Sequence, residues 1–181
     1  MKKFIIIALV ALLPVLGTSQ SAFDKYEDSE NVGSVIINKG LLGIVASMSA
    51  DENDKETQEF IELAKSIDNI KVFMSEDASA SADMAKTMKK YVKSASLEEL
   101  MKVKDGDTNV RFYIKNGRNS NRVTELLMFV TGIDEKAKGK NGPHFETVLL
   151  TMTGDIELSK IGSLTNKMNL PKELKKAKRG K

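Results

Sequence analysis

The sequence predicts an α+β domain in which helices pack on one face of a mainly antiparallel sheet. The first part of the chain alternates strand-like runs with amphipathic helical stretches, whereas the second part holds three strand-like runs in succession. Strands that are segregated from helices in this way are typical of α+β domains and not of parallel α/β sheets. The predicted order of elements is β-α-β-α-β-β-β-α.

The first strand is predicted at residues 32–37, where β-branched residues dominate. The next stretch, GLLGIVASM, is apolar but contains Gly40 and Gly43, and it is interpreted as a short helix close to the core. A continuation of the strand is the alternative, because the apolar period and the residue propensities conflict in this stretch.

Two longer amphipathic stretches predict helices. SADENDKETQEFIELAKSI opens with a reciprocal capping pattern of Ser49 and Glu52, and IKVFMS after it predicts the second strand at residues 70–75. SASADMAKTMKKYVKSAS is the second amphipathic helix. Ser96 and Glu99 repeat the capping pattern, so SLEELMKVK is predicted to form a short helix. The apolar stripes of the two long helices are Phe60, Ile61, Ala64 and Ile67, and Met84, Met88, Tyr91, Val92 and Ala95.

The second half of the chain changes to the two-residue period of strands. NVRFYIKN, RVTELLMFV and HFETVLLTMTG predict three successive strands joined by polar loops. The last of them is apolar on both faces near its middle, so we expect it in the centre of the sheet. DIELSKIGSLTNKM predicts a closing helix that ends at Asn169 and Pro171. Its apolar stripe consists of Leu158, Ile161, Leu164 and Met168.

The N-terminus has the features of a secretory signal peptide. Two lysines precede an apolar run at residues 4–16, which is shorter than the roughly 20 residues that a membrane-spanning helix needs. The run fits the length of about 7–15 residues that is usual in a secretory segment. Small residues follow at Gly17 and Ser19, so we expect cleavage after Ser19, before Gln20. An uncleaved N-terminal anchor is the alternative.

This prediction divides the chain into a signal peptide at residues 1–19, a single α+β domain at residues 20–171 and a basic tail at residues 172–181. The expected location is the periplasm or the cell envelope. The chain has no cysteine, so a disulfide cannot supplement the core, as it often does in exported domains. A lipid attached to cysteine is excluded for the same reason.

Charge is unevenly distributed along the chain. The whole sequence has a net charge of +3, but the tail holds six Lys and Arg residues against Glu173, which leaves residues 20–171 net acidic. A nucleic-acid-binding domain would gather basic residues on a folded face, so nucleic acid is not an expected partner. The tail is either a solvated terminus or a segment attracted to an anionic lipid surface or an acidic partner.

No catalytic, cofactor-binding or metal-binding residue is predicted. His144, the only histidine, is interpreted as a solvated residue at a strand entry. Asp51, Asn53 and Glu62 match positions of a calcium loop, but lysine and glutamate stand where a ligand and a glycine are required. Helix capping is therefore the preferred interpretation of this acidic stretch. Two glycine pairs, Gly40 with Gly43 and Gly139 with Gly142, do not match a nucleotide-binding loop.

Three segments resemble a domain-of-unknown-function family of small exported proteins in the Bacteroidetes. They are FDKYEDSENVGSVIINK, EELMKVKDGDTNVRFYIK and LLTMTGDIELSKI, and the resemblance covers nearly the whole mature chain. The family has no established activity, so no site residue is carried over. The resemblance implies an envelope location, one compact α/β domain and a genetic context of envelope-stress sigma factors. This chain departs from relatives that carry a lipid-attachment cysteine, and its long basic tail is a further departure.

The leading hypothesis for function is a non-enzymatic envelope module that binds another envelope protein or serves envelope-stress signalling. It follows from the signal peptide and the poverty of catalytic residues. The first alternative is a carboxylate-based enzyme acting on an envelope polymer, which needs Asp or Glu side chains from separate elements to converge in a cleft. The second alternative is a peripheral binder of anionic membranes through the basic tail. The oligomeric state is open, because an edge strand such as VIINK could pair with a second copy.

Overall fold

The computed structural model describes residues 21–48, 55–119, 121–133 and 145–160. Its strands are β1 (Gly33–Asn38), β2 (Ile67–Ser75), β3 (Glu98–Asp105), β4 (Thr108–Asn116), β5 (Arg122–Thr131) and β6 (Thr147–Glu157). Its helices are α1 (Ser21–Asp24), α2 (Lys39–Met48), α3 (Lys55–Ser66) and α4 (Ala78–Ser94), and a 3₁₀ turn, Leu158–Lys160, follows β6. None of the helices in these ranges has the length and apolar character needed to cross a membrane.

The six strands form one sheet in the order β1-β2-β6-β5-β4-β3, and every neighbouring pair is antiparallel. The α+β class and the antiparallel sheet are therefore confirmed. Strand β6 lies between β2 and β5, as its two apolar faces predict. The edges of the sheet are β1 and β3, and GLLGIVASM forms a helix, so the alternative of a continuing strand is wrong.

Helices cover both faces of the sheet, and the expectation that they pack on one face is wrong. Successive side chains of a strand point to opposite faces, and each of the central strands alternates between two hydrophobic clusters. In β6, for example, Leu149 belongs to the cluster that contains Met84 and Met88 of α4, whereas Leu150 packs against the cluster that contains Leu63 of α3. Both faces of the central strands are apolar, so both faces have to be buried.

The face covered by α4, hereafter the α4 face, also receives the N-terminal segment. Phe23 and Tyr26 are almost fully buried against it. The ring centroids of Phe23 and Tyr91 lie 4.9 Å apart in an edge-to-face arrangement, which is a favourable aromatic geometry. The predicted core methionines Met84 and Met88 of α4 are buried here.

The opposite face, hereafter the α2–α3 face, carries α2 and α3 side by side. Helix α2 begins directly after β1 because the side chain of Asn38 accepts a hydrogen bond from the backbone N–H of Leu41 at 3.1 Å, which is an N-cap interaction. The predicted capping pair Ser49–Glu52 lies outside the described residues. Helix α3 ends at Ser66 and β2 begins at Ile67, so Ile67 is the first residue of a strand and not the last of a helical stripe.

The segment SLEELMKVK is wrongly predicted as a helix, because it forms strand β3. Ser96 does not cap a new helix; it ends α4 with a φ of +56°, whereas an N-cap residue is extended. The N–H of Leu97 donates to the carbonyl of Val92 at 3.0 Å and that of Ser96 to the carbonyl of Lys93 at 3.4 Å. These two bonds form a Schellman motif, and pairing with β4 then overrides the local helical pattern.

The prediction that the closing helix begins at Asp155 is wrong. Residues 155–157 continue β6, because Ile156 pairs with Val123 of β5 and is fully buried. Gly154 has a φ of +148°, and a Cβ atom there would lie 2.2 Å from the carbonyl oxygen of Ser66. Glycine therefore lets the strand pass the junction of α3 and β2 instead of ending there. Residues 161–168 of the predicted helix lie outside the described residues.

We expect Ser96→Gly to stabilise the protein by about 0.5–1 kcal/mol, because glycine adopts positive φ without the steric cost that serine bears. The measurement is the free energy of unfolding in urea. The matched control is Ser94→Gly, the same chemical change inside the last turn of α4, which should destabilise by a similar amount. Equal effects of the two substitutions would contradict the assignment of Ser96 to the helix stop.

Candidate functional site

The two edges of the sheet differ sharply in charge. Strand β3 carries Glu98, Glu99, Lys102, Lys104 and Asp105, and its pairing with β4 is interrupted by a register shift. Charged side chains and bulges on an edge strand discourage pairing with other chains. Strand β1, with the sequence GSVIIN, has no charged residue. The β1 edge is therefore the unprotected one.

The unprotected edge continues into an exposed apolar surface. Among the described residues, eight large hydrophobic side chains are exposed, and six of them belong to β1 and α2. Their exposed fractions range from 39% to 79%. We define these six as the edge surface: Val35, Ile36, Leu41, Ile44, Val45 and Met48. Val35 lies on the α2–α3 face of β1, beside α2, whereas Ile36 pairs with Lys71 and lies on the α4 face of the same edge. Scattered exposed hydrophobic residues are ordinary, but a group on adjoining elements is typical of an interaction site.

Helix α2 contributes most of this surface because it has two apolar stripes. Leu42 and Ala46 form the first stripe and are buried, with Ala46 against Ile61 and Ala64 of α3. The second stripe consists of Leu41, Ile44, Val45 and Met48, which follow the i, i+3, i+4, i+7 spacing of a core-facing helix. A helix that is apolar all round is normally buried. The outer stripe of α2 is exposed instead, so the helix has the pattern of one that packs against another polypeptide.

The interpretation of α2 as a helix close to the core therefore captures only its inner side. The outer stripe was visible in GLLGIVASM as four apolar residues at helical spacing. It was missed because a single apolar run does not reveal which of two stripes will be buried.

A second feature is an open, charged groove of about 430 Å³ at the end of the sheet where β6 ends and β5 begins. Its lining is formed by Lys39, Glu62, Lys65, Ser66, Asp68, Arg122 and Asp155. Each of its carboxylates is ion-paired: Asp68 lies 2.8 Å from Lys39, Asp155 lies 2.7 Å from Arg122, and Glu62 pairs with Lys160. The negative charges of the groove are thus all neutralised by cations.

Asp155 in the groove and the nearby Glu157 do not have the pKa shift of a general acid. The hydrogen bond from Arg122 holds the pKa of the Asp155 carboxyl below its usual value. The pKa of the neighbouring Glu157 is also lowered, first by a hydrogen bond from Ser159 and further by the charges of Lys160 and Arg122. A carboxylic acid that donates a proton near neutral pH needs a raised pKa, and these two have the opposite shift.

A carboxyl with a raised pKa does exist, but it lies inside the α4 face. Glu125 of β5 is only 3% exposed, and burial raises its pKa despite opposing contributions from Tyr91 and Lys115. The hydroxyl of Tyr91 lies 2.7 Å from Oε1 and 2.9 Å from Oε2 of this carboxyl. Glu125 does not line the charged groove. Glu125 and the carboxylates of the charged groove, as the described residues place them, therefore do not form the facing pair that a glycosidase uses.

Lys71 of β2 fastens the N-terminal segment to the α4 face. Its side chain is 9% exposed, and its ammonium lies 2.7 Å from Oδ1 of Asp24 and 2.6 Å from Oε1 of Glu27. Burial lowers the pKa of Lys71, but hydrogen bonds to these two carboxylates outweigh it, so the pKa is raised. The hydroxyl of Tyr26 lies 2.7 Å from Asp83 of α4. These contacts bind one segment of the chain to another, which is a structural role.

The residues considered from the sequence for other chemistry are only partly described. His144, Asp51, Asn53 and the basic tail at residues 172–181 lie outside the described residues. Glu62, the third calcium-loop candidate, pairs with Lys160. Within the ranges that the structure describes, no group of three or more His, Cys, Asp and Glu side chains could hold a metal ion.

Comparison with known proteins identifies a family but no activity. The family described as Domain of unknown function (DUF4252) matches residues 26–164, a span that contains all six strands of the sheet. No curated protein and no solved structure matches the chain. The resemblance to a family of unknown function is thus confirmed.

We expect Glu125→Gln to make protein stability less sensitive to pH. Burial raises the folded-state pKa of Glu125 above the unfolded value of about 4.3. The stabilisation from the protonated carboxyl is therefore complete below that value and is lost as pH rises through the folded-state pKa. Urea unfolding should show the variant to be more stable than the wild type at about pH 8, with a smaller difference at about pH 4.

Glu157→Gln is the control, for which we expect the opposite dependence of stability on pH. Because the pKa of Glu157 is lowered in the fold, its ionised form stabilises the protein, and the substitution should be unfavourable at about pH 8 and neutral in strong acid. A pH-independent difference between Glu125→Gln and the wild type would contradict the buried, protonation-sensitive environment of Glu125.

Proposed function

The chain belongs to the DUF4252 family, and from this premise we propose that it is an exported, non-enzymatic module of the cell envelope that works by binding protein. The single observation that carries the proposal is the edge surface. An uncharged edge strand and the outer stripe of α2 together offer a partner both backbone hydrogen-bonding groups and apolar side chains.

Export is proposed on the basis of the N-terminal sequence. The basic start, the short apolar run at residues 4–16 and the small residues Gly17 and Ser19 support removal of residues 1–19 on passage out of the cytoplasm. The proposed setting is the envelope of a member of the Bacteroidetes, with a role accessory to envelope-stress signalling. An envelope protein is accordingly the proposed partner.

Two of the observations on charge favour binding over carboxylate catalysis. The carboxylates of the charged groove are paired with cations, and the pKa of Asp155 is lowered. Glu125, whose pKa is raised, is buried under α4 and hydrogen-bonded to Tyr91. The acid and the open groove that an enzyme of this class would combine are thus at different places in the fold. Membrane binding through residues 172–181 remains a prediction from the sequence.

The export proposal is tested by the mass of the protein after expression of the whole chain in a host with a periplasm. We expect the periplasmic fraction to contain a species that begins at Gln20. The control replaces Gly17 and Ser19 by bulky residues, which should leave the precursor uncleaved because signal peptidase requires small residues at these positions. Recovery of the intact N-terminus from the cytosol would contradict export.

The binding proposal is tested by capture from envelope extracts with surface variants. Ile44→Lys places a charge on the outer stripe of α2 and should abolish capture of any protein held by the edge surface. Leu100→Lys is the matched control, because Leu100 is similarly exposed on the opposite edge of the sheet, at 54% against 59% for Ile44. We expect the control to retain the wild-type partners after identification by mass spectrometry. Identical capture by all three proteins would contradict a binding role for the edge surface.

A further inference from the structure

We propose that two copies of this chain associate through antiparallel pairing of β1 with β1, so that their sheets join into one. The inference rests on the proposed function in treating the edge surface as a protein-binding surface, and it identifies a second copy as its occupant. Three properties of this edge support the pairing: its unpaired backbone, its lack of charge and its continuity with α2.

The backbone of β1 is paired on one side. Residues Gly33 to Asn38 pair with β2, and no other strand in the described part of the chain lies beside β1. An edge strand presents alternate N–H and C=O groups outward, and an added antiparallel strand satisfies them without any particular side chain. The β-branched residues Val35 and Ile36 favour the extended conformation that this pairing requires.

The side chains of β1 permit it to face its own copy. Antiparallel pairing about a two-fold axis sets each residue near the centre of the strand opposite itself or a close neighbour. A charged residue there would meet the same charge, which destabilises a cross-strand pair. The sequence GSVIIN contains no charge, so the strand is compatible with itself. An uncharged strand also offers no electrostatic feature that would select a different protein.

The same two-fold axis accounts for the exposed stripe of α2. An axis that relates antiparallel edge strands in one sheet is perpendicular to the sheet, so the α2–α3 faces of the two copies lie on the same side. Helix α2 contacts β1 and β2 on this face. The two α2 helices therefore flank the axis, and the outer stripes with Leu41, Ile44 and Met48 are available to each other. One contact between copies thus covers both parts of the edge surface.

The opposite edge explains why the assembly stops at two copies. Pairing of β1 with β3 of a neighbour would be head-to-tail and would extend without limit. Strand β3 carries five charged residues and a register shift, which disfavour that contact. Two copies that are joined at β1 present only their β3 edges, so a third copy is not added by strand pairing.

The absence of cysteine makes a direct test of the contact possible. When the two-fold axis passes the middle of β1, Val35 or Ile36 lies opposite its own copy at a Cα separation of about 4.5–5.5 Å, which suits a disulfide. Val35→Cys and Ile36→Cys are therefore prepared singly in the whole chain and mildly oxidised after purification. We expect at least one of them to form a covalent dimer. Val103→Cys is the matched control, since Val103 is 42% exposed on β3 against 45% for Val35 on β1.

The free association is measured by sedimentation equilibrium. We expect the wild type to form dimers with a Kd below about 10 μM, and Val35→Lys to weaken the Kd by at least about tenfold, because two lysines would approach across the axis. Val103→Lys should leave the Kd unchanged. Circular dichroism and thermal unfolding establish that each variant is folded before its mass is interpreted.

The outcomes separate this inference from the proposed function. A wild type that is monomeric at about 100 μM, or cross-linking at Val103→Cys equal to that at β1, overturns the β1 pairing. If such a monomer still captures an envelope protein that Ile44→Lys loses, the edge surface binds a different protein and the proposed function stands. A dimer that is disrupted by Val35→Lys and by Ile44→Lys, but not by Val103→Lys, supports the pairing described here.

Discussion

The burial of β6 on both of its faces is the constraint on which the rest of the structure depends. Leu149 and Ile156 are fully buried, although they belong to clusters on opposite faces of the sheet. A strand of this kind is stable only between two other strands and between two layers of helix. Strands β2 and β5 supply the flanks, α4 covers one face, and α2 with α3 covers the other. The places that remain for exposed strands are the edges, β1 and β3.

Much of this arrangement follows from local sequence patterns. The two-residue period in NVRFYIKN and the doubly apolar HFETVLLTMTG identify β4 and the central position of β6. The amphipathic stripe of α4 is equally clear. The number of helical layers is not a local property, because it depends on which strands share the sheet. The pairing of β6 with both β2 and β5 is what makes both faces interior.

Strand β3 was mispredicted because the decisive interactions are distant in sequence. Its residues have good helix propensity, and Ser96 stands three positions before Glu99, as in a capping box. The positive φ of Ser96 and the pairing of Met101 with Phe112 override this pattern. The chain turns at Gly106, whose φ is +56°, and returns as β4. The charges that make β3 resemble a solvated helix face are the same charges that suit an exposed edge strand.

The candidate site was harder to predict than the fold, because it is defined by what the chain leaves uncovered. The apolar residues of GLLGIVASM predict a helix close to the core. The outer stripe can be identified only in the structure, where Leu42 and Ala46 are the residues that are buried. Charged residues do not mark the site either, because Asp155 and Lys71 are engaged in ion pairs within the domain.

The contrast between the two edges then becomes the most informative feature of the molecule. A protein that needed only to remain soluble would protect both edges by the same means, since both present unpaired backbone groups. Here one edge has five charges and the other has none, and the uncharged edge adjoins a helix that is apolar on its outer side. Leaving such a surface in contact with water is unfavourable by about 25 cal/mol for each Å² of apolar area. Burial against another polypeptide would offset this unfavourable free energy, and for that reason we propose binding as the role of the uncharged edge.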